Sequence, residues 1–171
     1  MGIISRFPAG ATKPYIEEIY NSDGQLIDAK MYGYEAIRDY AFSYCANLAL
    51  TSLPSGITSI GNSVFAGCSS LALTSLPSGI TSIGGYAFSG CSNLALTSLP
   101  SGITSIGDYA FDNCQSLVSL TFEGTPESIR SSAFFNCNNL TTINVPWAEG
   151  AVANAPWGAQ NATIHYNYRG A

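Results

Sequence analysis

ITSIGNSVFAGCSSLALTSLPSG (57–79) runs directly into ITSIGGYAFSGCSNLALTSLPSG (80–102), and the two blocks differ only at Asn62/Gly85, Ser63/Tyr86, Val64/Ala87, Ala66/Ser89 and Ser70/Asn93. Cys45, Cys68, Cys91, Cys114 and Cys137 carry the same 23-residue period to either side. Self-similarity at such a period marks a solenoid, in which each unit buries its apolar face against its neighbours. Starting the unit at Tyr34 puts five coils in residues 34–148 and a degenerate sixth coil with the C-terminal cap in 149–171. In that last unit Val152 takes the slot of Ile129, Trp157 that of Phe134, and Tyr166 and Tyr168 those of Ile143 and Val145.

The columns of the alignment have physical meanings. The Phe column (Phe42 to Phe134), the Leu column (Leu48 to Leu140) and the Ile column (Ile37 to Ile129) should face inward and stack into one core. Ahead of each aromatic stand Asp39, Asn62, Gly85, Asp108, Ser131 and Asn154, residue types that cap a helix N-terminus by accepting free backbone N–H groups. Gly67, Gly90, Asn113 and Asn136 follow, and these tolerate the left-handed conformation that ends a helix. A single helical turn per coil is therefore expected. Beyond each Cys comes a strand, read most clearly as Leu117-x-x-Leu120-x-Phe122 and Leu140-x-x-Ile143-x-Val145. Pro54, Pro77, Pro100 and Pro146 lack a ladder donor and stop it, and Pro-Ser-Gly in the first three coils matches a type I turn.

One column breaks this register. The inward slot of Leu120 and Ile143 holds Thr51, Thr74 and Thr97 in the first three coils, whose leucines come one residue earlier, at Leu50, Leu73 and Leu96. With one register for all coils these leucines form an exposed apolar ladder, a candidate binding surface. With a local bulge they turn inward, and burial stabilises by roughly 1.5–3 kcal/mol per leucine.

No coil buries enough to fold alone, so the ends need covers. Residues 1–33 are read as an N-terminal β-hairpin cap: Tyr15–Tyr20 and Leu26–Met31 flank Asp23-Gly24, a strong hairpin signal, and Ile27, Ala29 and Met31 can face the first coil. Trp147 and Trp157 should shield the other end. The expected fold class is thus an α/β solenoid of about six 23-residue coils, each a strand plus a short helical turn, mostly β and loop. At about 4.8 Å per coil the stack is roughly 29 Å long.

These columns, I-x-x-I-G-x-x-A-F-x-x-C-x-x-L, resemble those of the BspA-like, or Treponema-type, bacterial leucine-rich repeat proteins. The resemblance covers residues 34–148, where Ile83-Gly84, Ala87-Phe88, Cys91, Leu94 and Pro100 fall on the pattern in tandem. It implies a right-handed, non-catalytic superhelix, in a family whose members are often surface proteins that bind host proteins or other cells. The PWGAQNATIHYN tail (156–167) and the tyrosine-rich hairpin resemble the ends of such proteins in gut-bacterial prophages. The sixth coil and the Leu-Ala-Leu-Thr-Ser-Leu register depart from the family pattern. So does the start of the chain, where the apolar run in MGIISRFPAGA is too short for a signal peptide and Arg6 spoils a myristoylation site.

Composition narrows the function. The formal charge is −5, only 10% of residues are charged, and none lies between Tyr40 and Gly107, so no basic stripe exists for nucleic acid. No segment has the roughly 20 apolar residues of a membrane span. A cysteine repeated at one interior slot reads as a buried free thiol, since stacked side chains point the same way and five cannot all pair. Metal binding is disfavoured because there is no CxxC pair and His165 stands apart. Asp108 and Asp112 read as structural, and the acceptor sequence Asn161-Ala162-Thr163 as accidental.

Two surfaces remain as binding candidates: the hydroxyl face of Thr74, Ser75, Thr97 and Ser98, and the tyrosines Tyr40, Tyr86 and Tyr109 beside the turns. The expectation is a non-enzymatic interaction or display scaffold without cofactor, monomeric or weakly self-associating, that recognises a protein or glycan in a bacterial surface or prophage setting. A purely structural particle component is the alternative.

Overall fold

The computed structural model describes residues 14–170. The opening MGIISRFPAGA, with its expected lack of an export signal, lies outside the described residues. Six stacked coils carry short strands, and no helix occurs among the described residues. A hairpin, β1 (Tyr15–Tyr20) and β2 (Leu26–Tyr32), precedes them. Its reversal is fixed by Asn21, whose N–H donates to the Gln25 carbonyl at 2.9 Å, and by Gly24 at φ +76°. Ala29 and Met31 are buried as expected, Ile27 is half-buried, and the Ala49 N–H ties the hairpin to the first coil through the Ile27 carbonyl at 2.9 Å.

Ala36-Ile37 in the first coil and the Ser-Ile pair in each of the next four form two-residue strands: β3 (Ala36–Ile37), β4 (Ser59–Ile60), β5 (Ser82–Ile83), β7 (Ser105–Ile106) and β9 (Ser128–Ile129). These make a parallel sheet in chain order, every register step being 23 residues, from Ile37↔Ile60 to Ile106↔Ile129. A second parallel sheet, in the order β11-β10-β8-β6, comprises β6 (Ser98–Leu99), β8 (Ser119–Phe122), β10 (Thr142–Asn144) and β11 (Thr163–His165). Between the two sheets lies the core. Phe42, Phe65, Phe88, Phe111 and Phe134 stack with centroids 5.2–5.6 Å apart. Trp157 is fully buried and Trp147 nearly so, sealing the last coils against Phe122.

Three expectations are corrected. The helical turn is a run of three tight turns with alternating donors. Ala41, Ser43 and Cys45 donate to carbonyls three residues back, whereas Tyr40, Phe42 and Tyr44 donate across to Asn62, Val64 and Ala66 of the next coil. Left-handed residues at both ends of the segment (Tyr40 at φ 62°, Tyr44 at φ 61°) turn those N–H groups outward, and a helix would forfeit the cross-ties. Gly67, Gly90, Asn113 and Asn136 are left-handed as expected, with φ of 73°, 74°, 57° and 54°. The expected capping side chains serve the neighbouring coil instead: Asp39 Oδ1 accepts from the Asn62 N–H at 2.7 Å, and Asn62 Oδ1 from the Gly85 N–H at 2.8 Å.

The second correction settles the register. Leu50, Leu73 and Leu96 are 4%, 0% and 2% exposed, so they belong to the core and not to a binding surface. No residue is inserted, because Ser98↔Thr121 and Leu99↔Phe122 pair at the usual 23-residue offset. Instead the two consecutive outward residues come after the middle leucine in the first three coils (Thr97-Ser98) and before it in the fourth (Val118-Ser119). Core burial selects whichever arrangement turns the leucine inward. Third, the sixth coil is shorter than the alignment implies: Ile143 pairs with Ile164, 21 residues on, so Ile164 rather than Tyr166 takes that slot.

Candidate recognition surface

The thiols come first, because a nucleophile would change the functional class. Cys68, Cys91, Cys114 and Cys137 are buried, and each Sγ donates to the carbonyl of the preceding coil's Phe: Phe42, Phe65, Phe88 and Phe111, at 2.9–3.2 Å. Burial pushes the Cys68 and Cys137 thiols up to about 12 and raises those of Cys91 and Cys114 as well. All stay protonated at neutral pH, so they are poor nucleophiles and poor metal ligands. Cys45 is half-buried and also raised by burial, and all five are free.

The carboxylates singled out in the sequence have structural partners. Asp112 accepts from Ser89 Oγ at 3.2 Å and from Asn136 Nδ2 at 3.3 Å, and Asp108 accepts from Ser132 Oγ at 3.2 Å. These carboxylates tie adjacent coils together. Asn161 donates through Nδ2 to the Asn138 carbonyl at 2.9 Å, doing the same for the last coil. His165 sits exposed on β11. Among the described residues no group of three or more His, Cys, Asp or Glu side chains could hold a metal ion, and no helix is long and apolar enough to cross a membrane.

Two surfaces are left, as the sequence reading anticipated, but with altered membership. Thr74, Ser75 and Thr97 are exposed, while Ser98 is half-buried and donates to Glu123 Oε1 at 2.7 Å. The pair of adjacent outward hydroxyls at these slots is confined to the first three coils, because Ser98 pairs with Thr121 and the slot of Thr97 then holds the buried Leu120 and Ile143 in coils four and five. The tyrosine face is more organised. Tyr86 and Tyr109 stack at 5.1 Å with 16° between ring planes, and Tyr109 meets the edge of Phe135 at 5.8 Å. Tyr86 and Phe135 are 47% and 37% exposed, giving a continuous aromatic row on the outside of coils three to five. The left-handed backbone at Tyr86 and Tyr109, φ 55° at both, belongs to the turn and holds these rings on its outer side.

Tyr40 does not join the row, because Ser63 occupies its column in the second coil. It stands alone, mostly exposed, beside Tyr44, whose ring covers Gly67. Phe135 and Tyr44 were missed by the sequence reading. Their signal was present: each is an aromatic in a column otherwise filled by small or polar residues, Ser43, Ala66, Ser89 and Asp112 for Phe135, and Gly67, Gly90, Asn113 and Asn136 for Tyr44.

A stack of in-phase coils with an outward aromatic row defines a repeat scaffold. The family model described as a BspA type leucine-rich repeat region matches residues 35–152 in six copies, so the chain belongs to that family. Among solved structures, the leucine-rich repeat protein of T. pallidum is 26% identical with a TM-score of 0.62, over 96% of this chain and 83% of that one. A leucine-rich repeat protein from Bacteroides ovatus is 33% identical with a TM-score of 0.55, covering 64% of this chain but only 28% of its own. The pneumococcal vaccine antigen PcpA shares the fold at 18% identity and a TM-score of 0.54, over 84% of this chain and 46% of that one. No curated protein matches the chain.

Proposed function

We propose that this chain is a non-enzymatic recognition module that holds a protein or glycan partner through its aromatic face, in a bacterial surface or phage-associated setting. The observation that carries the reading is the Tyr86, Tyr109 and Phe135 row. Exposed, pre-ordered aromatics give large contact area at little entropic cost and are enriched at the energetic centres of interfaces. Tyr86 and Tyr109 cover one face of each other, so a partner meets their edges, their hydroxyls and the outer face of Tyr86. The vaccine-antigen relative agrees with an exposed location. Capture of the purified chain against host matrix proteins and a glycan panel, with Y86A/Y109A in parallel, tests the reading. A partner held equally well by the double variant would refute it.

A structural role in a particle has one observation in its favour. β11 is the outer strand of its sheet, and Ile164, Tyr166 and Tyr168 are only half-buried beside it. Sedimentation distinguishes the two, since a large assembly at micromolar concentration would point to the particle.

A further inference from the structure

On the outside of the five-stranded sheet an open trough of about 520 Å³ runs across the first five coils. Its walls and ends are unlike the rest of the surface. The column that supplies its floor is Arg38, Gly61, Gly84, Gly107, Arg130, so the three middle coils carry no side chain there and the two flanking ones carry guanidinium groups. The glycines are obligatory: a Cβ on Gly84 would lie 2.5 Å from the Gly61 carbonyl carbon, and one on Gly107 2.5 Å from the Gly85 nitrogen. Packing of coil on coil therefore makes the channel, and the arginines bound it.

Serines supply the wall. Thr58, Thr81 and Thr104 spend their hydroxyls on the carbonyls of Glu35, Thr58 and Thr81. Next to them Ser59, Ser82 and Ser105 line the trough, and among the described residues their hydroxyls have no protein partner. The result is a row of free hydroxyls, one per coil. Four of the chain's six basic residues are described, and two of those four, Arg38 and Arg130, stand here, exposed and without an ion pair among the described residues. Asp39 also lines the trough, but its carboxylate already accepts from the N–H and Nδ2 of Asn62. No charged residue lies in the coils between Tyr40 and Gly107.

We propose that this trough binds an extended anionic polysaccharide, whose acidic groups reach Arg38 and Arg130 while the sugars between them lie along the serine row. The spacing supports a glycan. Four coil steps of about 4.8 Å put the arginines roughly 19 Å apart, and one step is close to the length of a pyranose unit, so hydroxyls and sugars run in phase. A peptide is less suited. The sheet's backbone groups are taken up between coils, leaving no edge in the trough to extend a strand, and the glycine floor offers no side-chain pockets. Guanidinium groups pair with carboxylate or sulfate in a forked geometry, and two of them on one rigid frame act as a bivalent clamp. This site is separate from the aromatic face, and either can fail without the other.

Calorimetric titration with octamers of oligogalacturonate and of heparan sulfate tests the proposal, using a neutral β-1,4-glucan octamer and a polyglutamate octamer as controls. One or both anionic sugars should bind, more weakly at higher salt, and the controls should not. Arg38→Gln and Arg130→Gln should each weaken binding roughly tenfold or more, with unchanged melting temperature because both side chains are exposed, and Y86A/Y109A should leave it intact. Binding by neither sugar, equal binding of polyglutamate, or an R38Q/R130Q variant as good as the parent would overturn the proposal.

Discussion

The Cys91 thiol donates to the carbonyl oxygen of Phe65 at 3.1 Å, and that same oxygen accepts the Cys68 N–H at 3.0 Å. The thiol is thus both a filler of the right volume and a cross-tie between coils, which explains why Cys68, Cys91, Cys114 and Cys137 occupy this slot and not alanine. Replacing it removes both contributions. Cys91→Ala should cost about 1–3 kcal/mol from the cavity and the lost bond, read as a lower urea midpoint. Cys45→Ala should cost less, because Cys45 is half-buried and its sulfur only approaches the Ser43 carbonyl at 4.0 Å.

Burial of the thiols makes the protein alkali-sensitive. An exposed thiol in the unfolded chain loses its proton near pH 9, whereas Cys68 and Cys137 hold theirs to about 12. Above pH 9 the unfolded state therefore binds fewer protons, and stability falls as pH rises. The contribution is complete below pH 9 and is lost as pH climbs from there through the folded-state values. Melting temperatures from pH 7 to 11 should drop beyond pH 9, and C68A/C137A should flatten that drop. An identical slope in the variant would show that other groups are responsible.

Glycines at different slots should respond in opposite ways. Gly84→Ala drives a Cβ into the Gly61 backbone, which cannot move without parting two coils, and should cost at least about 2 kcal/mol. At Gly56 a Cβ would meet only the Tyr34 carbonyl, at 3.7 Å, so Gly56→Ala should be neutral or stabilise by about 0.4–1 kcal/mol through the unfolded chain. Thermal denaturation of the two variants checks the contrast.

Removing a whole coil should be tolerated. Residues 57–79 and 80–102 are near-copies, and the registers Ile37↔Ile60 and Ile60↔Ile83 let Ile37 pair with Ile83 once 57–79 is deleted. The deletion variant should stay soluble and monodisperse with a lower melting temperature, since each coil adds nearest-neighbour interface. Aggregation on gel filtration would contradict this.

Much of this architecture was legible before any coordinates, for a definite reason. Period and column identity report which residues stack, and the Phe, Leu, Ile and Cys columns lie where the alignment puts them. The sequence is less explicit about where hydrogen bonds go. Asp39 and Asn62 are suitable caps for a helix and equally suitable acceptors for the next coil's N–H, and no local pattern separates the two. Leu96 against Leu120 was readable only as a choice, because alternation alone does not say on which side of a leucine the outward pair falls. The early arrival of Ile164 was hidden by Tyr166, an apolar residue in the expected slot. At the surface, Tyr86 and Tyr109 were visible as a column, but Phe135 joins them from a neighbouring column across the turn.

The four-stranded sheet begins only at β6, so the first two coils are laced to their neighbours by the Ser-Ile strands and the turns but lack strand pairing along Thr51–Leu53 and Thr74–Leu76. Under tension along the stack, the chain should peel from the hairpin end. Its tryptophan-sealed end would hold longest, giving the stack a built-in direction of unravelling.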